Sequence, residues 1–137
     1  MGDPHEGFAR LRAAAESGEL DGLCRERHIR VLTVFGSAAR GEESPRDLDI
    51  GVLSEFDEGF DILAVVDDFI HLTGMDNIDV VHLNRGGPVI RERALGADSF
   101  GLYESEPAAL ANAQMAAIAE RVETDPMRKL NLELLAG

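Results

Sequence analysis

Apolar and polar positions change rhythm along the chain, and the rhythm separates helices from strands. Residues 7 to 28 carry apolar side chains at helical spacing: Phe8, Leu11 and Ala14 or Ala15 form one stripe, and Leu20, Leu23 and Cys24 the next, with a break near Ser17-Gly18. One or two short packing helices are predicted there. An apolar run from Val31 to Phe35 then stops at Gly36-Ser37, and after a polar loop a second apolar run carries Asp47 and Asp49. That pattern predicts strand, tight turn and strand. Alternate residues of a strand share a face, so Asp47 and Asp49 project together while Leu48, Ile50 and Val52 turn the other way, into a core.

The second half alternates in the same manner. From Phe60 to Thr73 apolar residues recur at 62, 65, 66 and 69 and the run meets Gly74, a good C-cap, which predicts an amphipathic helix with Asp61, Asp67 and Asp68 on its wet face. Ile78 to Leu83 reads as a strand with Asp79 and Val81 on one face and Val80 and His82 on the other. Pro88 to Leu95 predicts a short helix, and Ser99 to Tyr103 a last strand. After Ser105-Glu106-Pro107, residues 108 to 123 predict a helix with a stripe through Ala111, Met115, Ile118 and Val122. A further helical segment from Pro126 carries Met127, Leu130 and Leu134, which either cap the core or wait for a partner chain.

Composition narrows the class. With 137 residues and 45% hydrophobic content, one domain over residues 1–137 is expected, its core at about 30–104 and its C-terminal helices at 106–135. The net charge of −13, from 26 acidic and 13 basic residues, argues against direct nucleic-acid binding, which needs clustered Lys and Arg, and suits solubility or a basic protein partner. Cys24 is the only cysteine, so no intrachain disulfide forms and the thiol reads as a small buried hydrophobe. Asp3 and Glu6 stand where a signal peptide is basic and then apolar, and no run approaches a membrane span; a cytoplasmic location and no membrane contact are expected.

Two carboxylates facing one way repel unless a cation sits between them, and hard oxygen ligands suit Mg²⁺ with bound phosphate. Gly36-Ser37 offers a backbone that turns sharply and a hydroxyl donor, and Ser37 to Arg40 reads as a first helical turn whose N–H groups face the same anion, with Arg40 adding charge. A phosphate cradle thus leads into a carboxylate pair. Asp79 taken alone is a strand-edge carboxylate. His82 faces away from it, and His71 lies on an amphipathic helix, so neither is read as a ligand. Arg91 and Arg93 either reach a triphosphate or pair with the acidic surface, the commoner use.

The combination of Gly36-Ser37, nine intervening residues and Asp47-Leu48-Asp49 between two strands, with Asp79 on a later one, resembles the DNA polymerase beta-type nucleotidyltransferase superfamily, and within it the minimal nucleotidyltransferases (MNT proteins). The likeness covers about residues 30 to 104, and Arg46 stands where that family often has Ser or Thr before the first Asp. It implies an α+β nucleotidyltransferase fold, a small mixed β-sheet with packed helices. It implies transfer of AMP from ATP to a hydroxyl with two Mg²⁺ ions: Asp47 and Asp49 hold the ions, Asp79 completes the metal site beside the attacking oxygen, and Gly36, Ser37 and Arg40 hold the phosphates. The acceptor the resemblance implies is a tyrosine of a HEPN-type ribonuclease toxin, which makes the chain an antitoxin. Two further readings remain: a catalytically silent module that neutralises a HEPN partner by contact, and a small-molecule nucleotidyltransferase acting as a dimer, the simplest homo-oligomer.

Overall fold

The computed structural model describes the backbone of residues 3–136 and the side chains of residues 3–122. Its centre is a four-stranded mixed sheet in the order β3-β2-β1-β4, formed by β1 (Ile29–Phe35), β2 (Leu48–Ser54), β3 (Ile78–His82) and β4 (Phe100–Glu104). β1 pairs antiparallel with β2 and with β4, whereas β2 and β3 run parallel. The small mixed sheet expected of the sequence is therefore present.

Period-two patterning decides what each face carries. Leu32, Val34, Leu48, Ile50 and Val52 are fully buried in one core with Leu11, Leu20, Val65 and Phe69 from α1 (Pro4–Ser17), α2 (Glu19–Glu26) and α4 (Ile62–Thr73). Val31, Phe35, Leu53 and Val81 face the other way, against α5 (Pro88–Leu95) and α6 (Ala109–Ala136). The break at Ser17-Gly18 is real: Gly18 is left-handed, with φ 88°, and ends α1 where α2 begins. Asp61 caps α4 by accepting from Ala64 N at 3.1 Å, and Gly74 closes it in the left-handed conformation. Of the three aspartates read as a wet face, Asp61 is thus a cap and Asp68 takes a two-pronged bond from Arg27, 2.6 and 3.3 Å, that ties the end of α2 to α4.

Two expectations for the C-terminal region are corrected. Ala109–Ala136 is a single helix, where Pro126 suggested a division. The helix also buries a different face from the one its large apolar residues suggested. Met115, Ile118 and Val122 are 67%, 57% and 65% exposed, and Ala111 is exposed as well, while Ala109 and Ala117 are buried and Ala113 packs beside them. Alanines at four-residue intervals let α6 approach α5 and the sheet closely, and two ion pairs hold the contact, Arg91 with Glu120 and Arg121 with Glu92. Met127, Leu130 and Leu134 lie outside the described side chains.

Candidate active site

The residues singled out in the sequence converge on one end of the sheet. β1 finishes at Phe35, and the chain turns at once into a four-residue helical turn, α3 (Gly36–Ala39). Phe35 lies opposite Asp49 in the antiparallel register, and Asp49 lies opposite Asp79 in the parallel one, so cradle, first strand carboxylate and second strand carboxylate form a row across three neighbouring strands. Asp47 precedes β2 by one residue and is exposed. Leu48 is fully buried on the far face, and Asp47 and Asp49 alternate with it, as period two requires.

Two separate features favour glycine at position 36. Its φ is +77°, the left-handed region that a Cβ disfavours, and a Cβ built there would collide with Asp49 Oδ2 and stand 3.2 Å from Asp49 Cγ. The carboxylate of Asp49 therefore lies directly over the turn. Ser37 is half-buried on α3 and its hydroxyl makes no hydrogen bond among the described residues, which leaves it free to donate. The first turn of any helix also leaves backbone N–H groups without intrahelical partners. Arg40 ends α3, but its guanidinium forks onto Glu42 at 2.6 and 3.0 Å. Its charge is therefore shared with a neighbouring carboxylate.

Electrostatics mark the row as strained. Burial is the largest influence pushing the Asp49 carboxyl above the usual carboxylate range, followed by the charges of Asp79 and Asp47; Arg93 and Arg40 pull it back in part. A cation among these three oxygen donors would relieve that repulsion, and the donor chemistry suits a hard divalent ion. The carboxylates are not, however, drawn into a finished ligand set: among the described residues no group of three His, Cys, Asp or Glu side chains is arranged to hold a metal.

Sequence reasoning passed over one residue that the fold places here and left a second open. Asn77 brackets Asp47, since its Nδ2 donates to Arg46 O at 3.0 Å and its own carbonyl accepts from Leu48 N at 3.3 Å, while its buried Oδ1 has no partner among the described residues. The only signal in the chain was its place just before the third aspartate. Arg93 was seen but left ambiguous. Its guanidinium lies 6.0 Å from the centre of the Phe35 ring, beside the cradle, whereas Arg91 is committed to Glu120 and to Leu83 O. α5 comes this near because β2 carries Gly51, where a side chain would meet Ala94 Cβ at 3.1 Å and Thr33 Oγ1 at 2.7 Å. Thr33 Oγ1 in turn donates to Ala94 O at 2.6 Å, fixing the helix on the strands. His82 hydrogen-bonds Ser54 Oγ at 2.8 Å and stacks on Phe60, which agrees with a role in packing.

Residues 19–106 match the family model described as Polymerase beta, Nucleotidyltransferase, and the chain belongs to that family. Among solved structures it is similar to a toxin–antitoxin complex with AMP-PNP, at 15% identity and TM-score 0.67 over 88% of this chain and 98% of that one. It is likewise similar to a structure of the tri-AMPylated HEPN toxin of Shewanella oneidensis in complex with its MNT antitoxin, at 15% identity and TM-score 0.65 over 92% and 99% of the two chains. A third, an MntA–HepT complex, gives 14% identity and TM-score 0.64 over 88% and 96%. No curated protein matches the chain. At these identities the likeness is one of fold, and the fold is the nucleotidyltransferase fold. No helix among the described residues is long and apolar enough to cross a membrane.

Proposed function

We propose that this chain is a Mg²⁺-dependent nucleotidyltransferase of the cytoplasm that moves AMP from ATP onto a tyrosine hydroxyl of a HEPN-type ribonuclease, and so acts as its antitoxin. The observation that carries the reading is the row across the strands, Gly36 under the Asp49 carboxylate with Asp79 in register beside it. Asp47, Asp49 and Asp79 would hold the metal, and bound Mg²⁺ would supply charge neutralisation for the triphosphate and the departing pyrophosphate. Gly36 and Ser37 receive the phosphates through backbone N–H groups and a hydroxyl. The acceptor oxygen attacks the α-phosphorus, a P–O ester to AMP forms, the bond to the bridging oxygen breaks, and pyrophosphate leaves. Asp79, exposed on the edge strand, would take the proton of the attacking hydroxyl.

Two features support a protein as acceptor. Asp47 and Asp79 are exposed, so a side chain offered from outside can approach the carboxylates. The exposed stripe of Met115, Ile118 and Val122 is an apolar surface of the sort that marks contact with another protein. The AMP-PNP complex and the AMPylated HEPN toxin among the similar structures fit the same assignment. An AMP ester on a tyrosine adds bulk and negative charge where RNA phosphate would dock, which accounts for inhibition.

Intact-mass spectrometry of a co-expressed HEPN partner tests the proposal. Wild-type chain should add one AMP per modified tyrosine, and Asp47→Asn should leave the partner at its unmodified mass. A partner that stays unmodified yet is inhibited equally by both chains would establish the silent binding module instead.

A further inference from the structure

The arginines on α5 have separate fates, although two residues apart in sequence. Arg91 is half-buried, bonded to Glu120 through two nitrogens and to Leu83 O through a third. Arg93 is exposed and enters no ion pair among the described residues. Its own helix cannot supply one: the residue four positions back is Val89, the helix ends at Leu95 before a position four ahead exists, and neighbouring Glu92 is taken by Arg121. What Arg93 does touch is Phe35, its guanidinium carbon 6.0 Å from the ring centre. Phe35 is the residue that leads into Gly36 and that lies opposite Asp49. An extended, always-charged fork is thus propped on an aromatic face at the rim of the cradle. Arg40, the cation expected there from sequence, also has a carboxylate partner in Glu42.

We propose that Arg93 receives the polyphosphate tail of the nucleotide, and that it is the residue by which the site distinguishes a nucleoside triphosphate from a monophosphate. The inference rests on the nucleotidyltransferase reading and assigns a role within it. A planar guanidinium matches two phosphate oxygens at once, and the Phe35 ring limits how far it can swing, so little freedom is lost on binding. Its charge also opposes the carboxylates that would otherwise repel the incoming tail.

Equilibrium titrations of the full chain with Mg·AMP-PNP and with AMP, on wild type, Arg93→Gln and Arg93→Lys, test this. Wild type should prefer the triphosphate analogue. Arg93→Gln should weaken that ligand about ten- to a hundredfold, the range for a charge-assisted bond, and leave AMP within about twofold. Arg93→Lys should recover part of the loss, because charge returns without the fork. Equal loss of both ligands in Arg93→Gln would mean that the arginine only supports Phe35, and unchanged triphosphate affinity would remove it from the site; either result overturns the proposal. Failure of wild type itself to bind Mg·AMP-PNP would overturn the nucleotidyltransferase reading along with it, and that arm is read before any variant.

Discussion

Replacing Gly36 by alanine tests how tightly the turn and the Asp49 carboxylate are coupled. Two costs add. An L residue at φ +77° pays about 1–2 kcal/mol for its left-handed backbone. The new methyl also overlaps Asp49 Oδ2, so the carboxylate must leave its position or the turn must shift, adding on the order of 1–3 kcal/mol. A total of about 2–5 kcal/mol should appear as a lower urea midpoint at unchanged slope. The second term can be isolated. In an Asp49→Ala background the nearest remaining atom is Cβ, 3.5 Å from the added methyl and in ordinary contact, so Gly36→Ala should there cost only the backbone term. The double-mutant cycle should therefore show coupling of about 1–3 kcal/mol. A Gly36→Ala cost below about 0.5 kcal/mol, or one that is the same with and without the Asp49 side chain, would refute the geometry of the cradle.

Asn77→Ala removes one hydrogen bond, worth about 1 kcal/mol, and also a buried oxygen without a partner, so stability should move by less than about 1 kcal/mol while Asp47 loses its anchor. Calorimetry should then show Mg·AMP-PNP affinity falling several-fold at near-constant melting temperature; a large stability loss with intact affinity would contradict the positioning role. Asp49→Asn bears on pH. Because the folded state raises this carboxyl, its contribution to stability is complete at pH values below the ordinary carboxylate range, near 4, and is lost as pH rises through the raised value. In chelator-treated buffer Asp49→Asn should therefore melt higher than wild type at pH 7, with the gain shrinking toward zero as the pH is lowered. A destabilised variant at pH 7 would show that the ionised carboxylate is favourably paired.

Strand faces and turn chemistry were legible because each residue's role there is local. Period two placed Asp47 and Asp49 opposite Leu48, Ile50 and Val52, and the parallel strand brought Asp79 level with Asp49. Gly36 was readable as a turn glycine, though nothing in the chain foretold that it makes room for Asp49. Relations between distant elements were less visible. Gly51 gives no hint on its own that α5 descends onto it, and that descent separates the fates of Arg91 and Arg93. On α6 the strongest hydrophobic signal misled: Met115, Ile118 and Val122 outrank alanine on any hydropathy scale, yet small side chains allow closer helix packing, so Ala109, Ala113 and Ala117 took the inside. The exposed stripe is what remains when that choice is made.

We propose that the row of Asp47, Asp49 and Asp79 beside Gly36 and Ser37 is a metal–triphosphate site. Isothermal titration of Mg·AMP-PNP into wild type and into Asp49→Asn, each repeated with chelator in place of Mg²⁺, measures it directly. Binding by wild type that requires Mg²⁺, and its loss in an Asp49→Asn chain that remains folded, is the predicted outcome. Equal binding by both chains, or binding by wild type that is indifferent to the metal, would contradict the account.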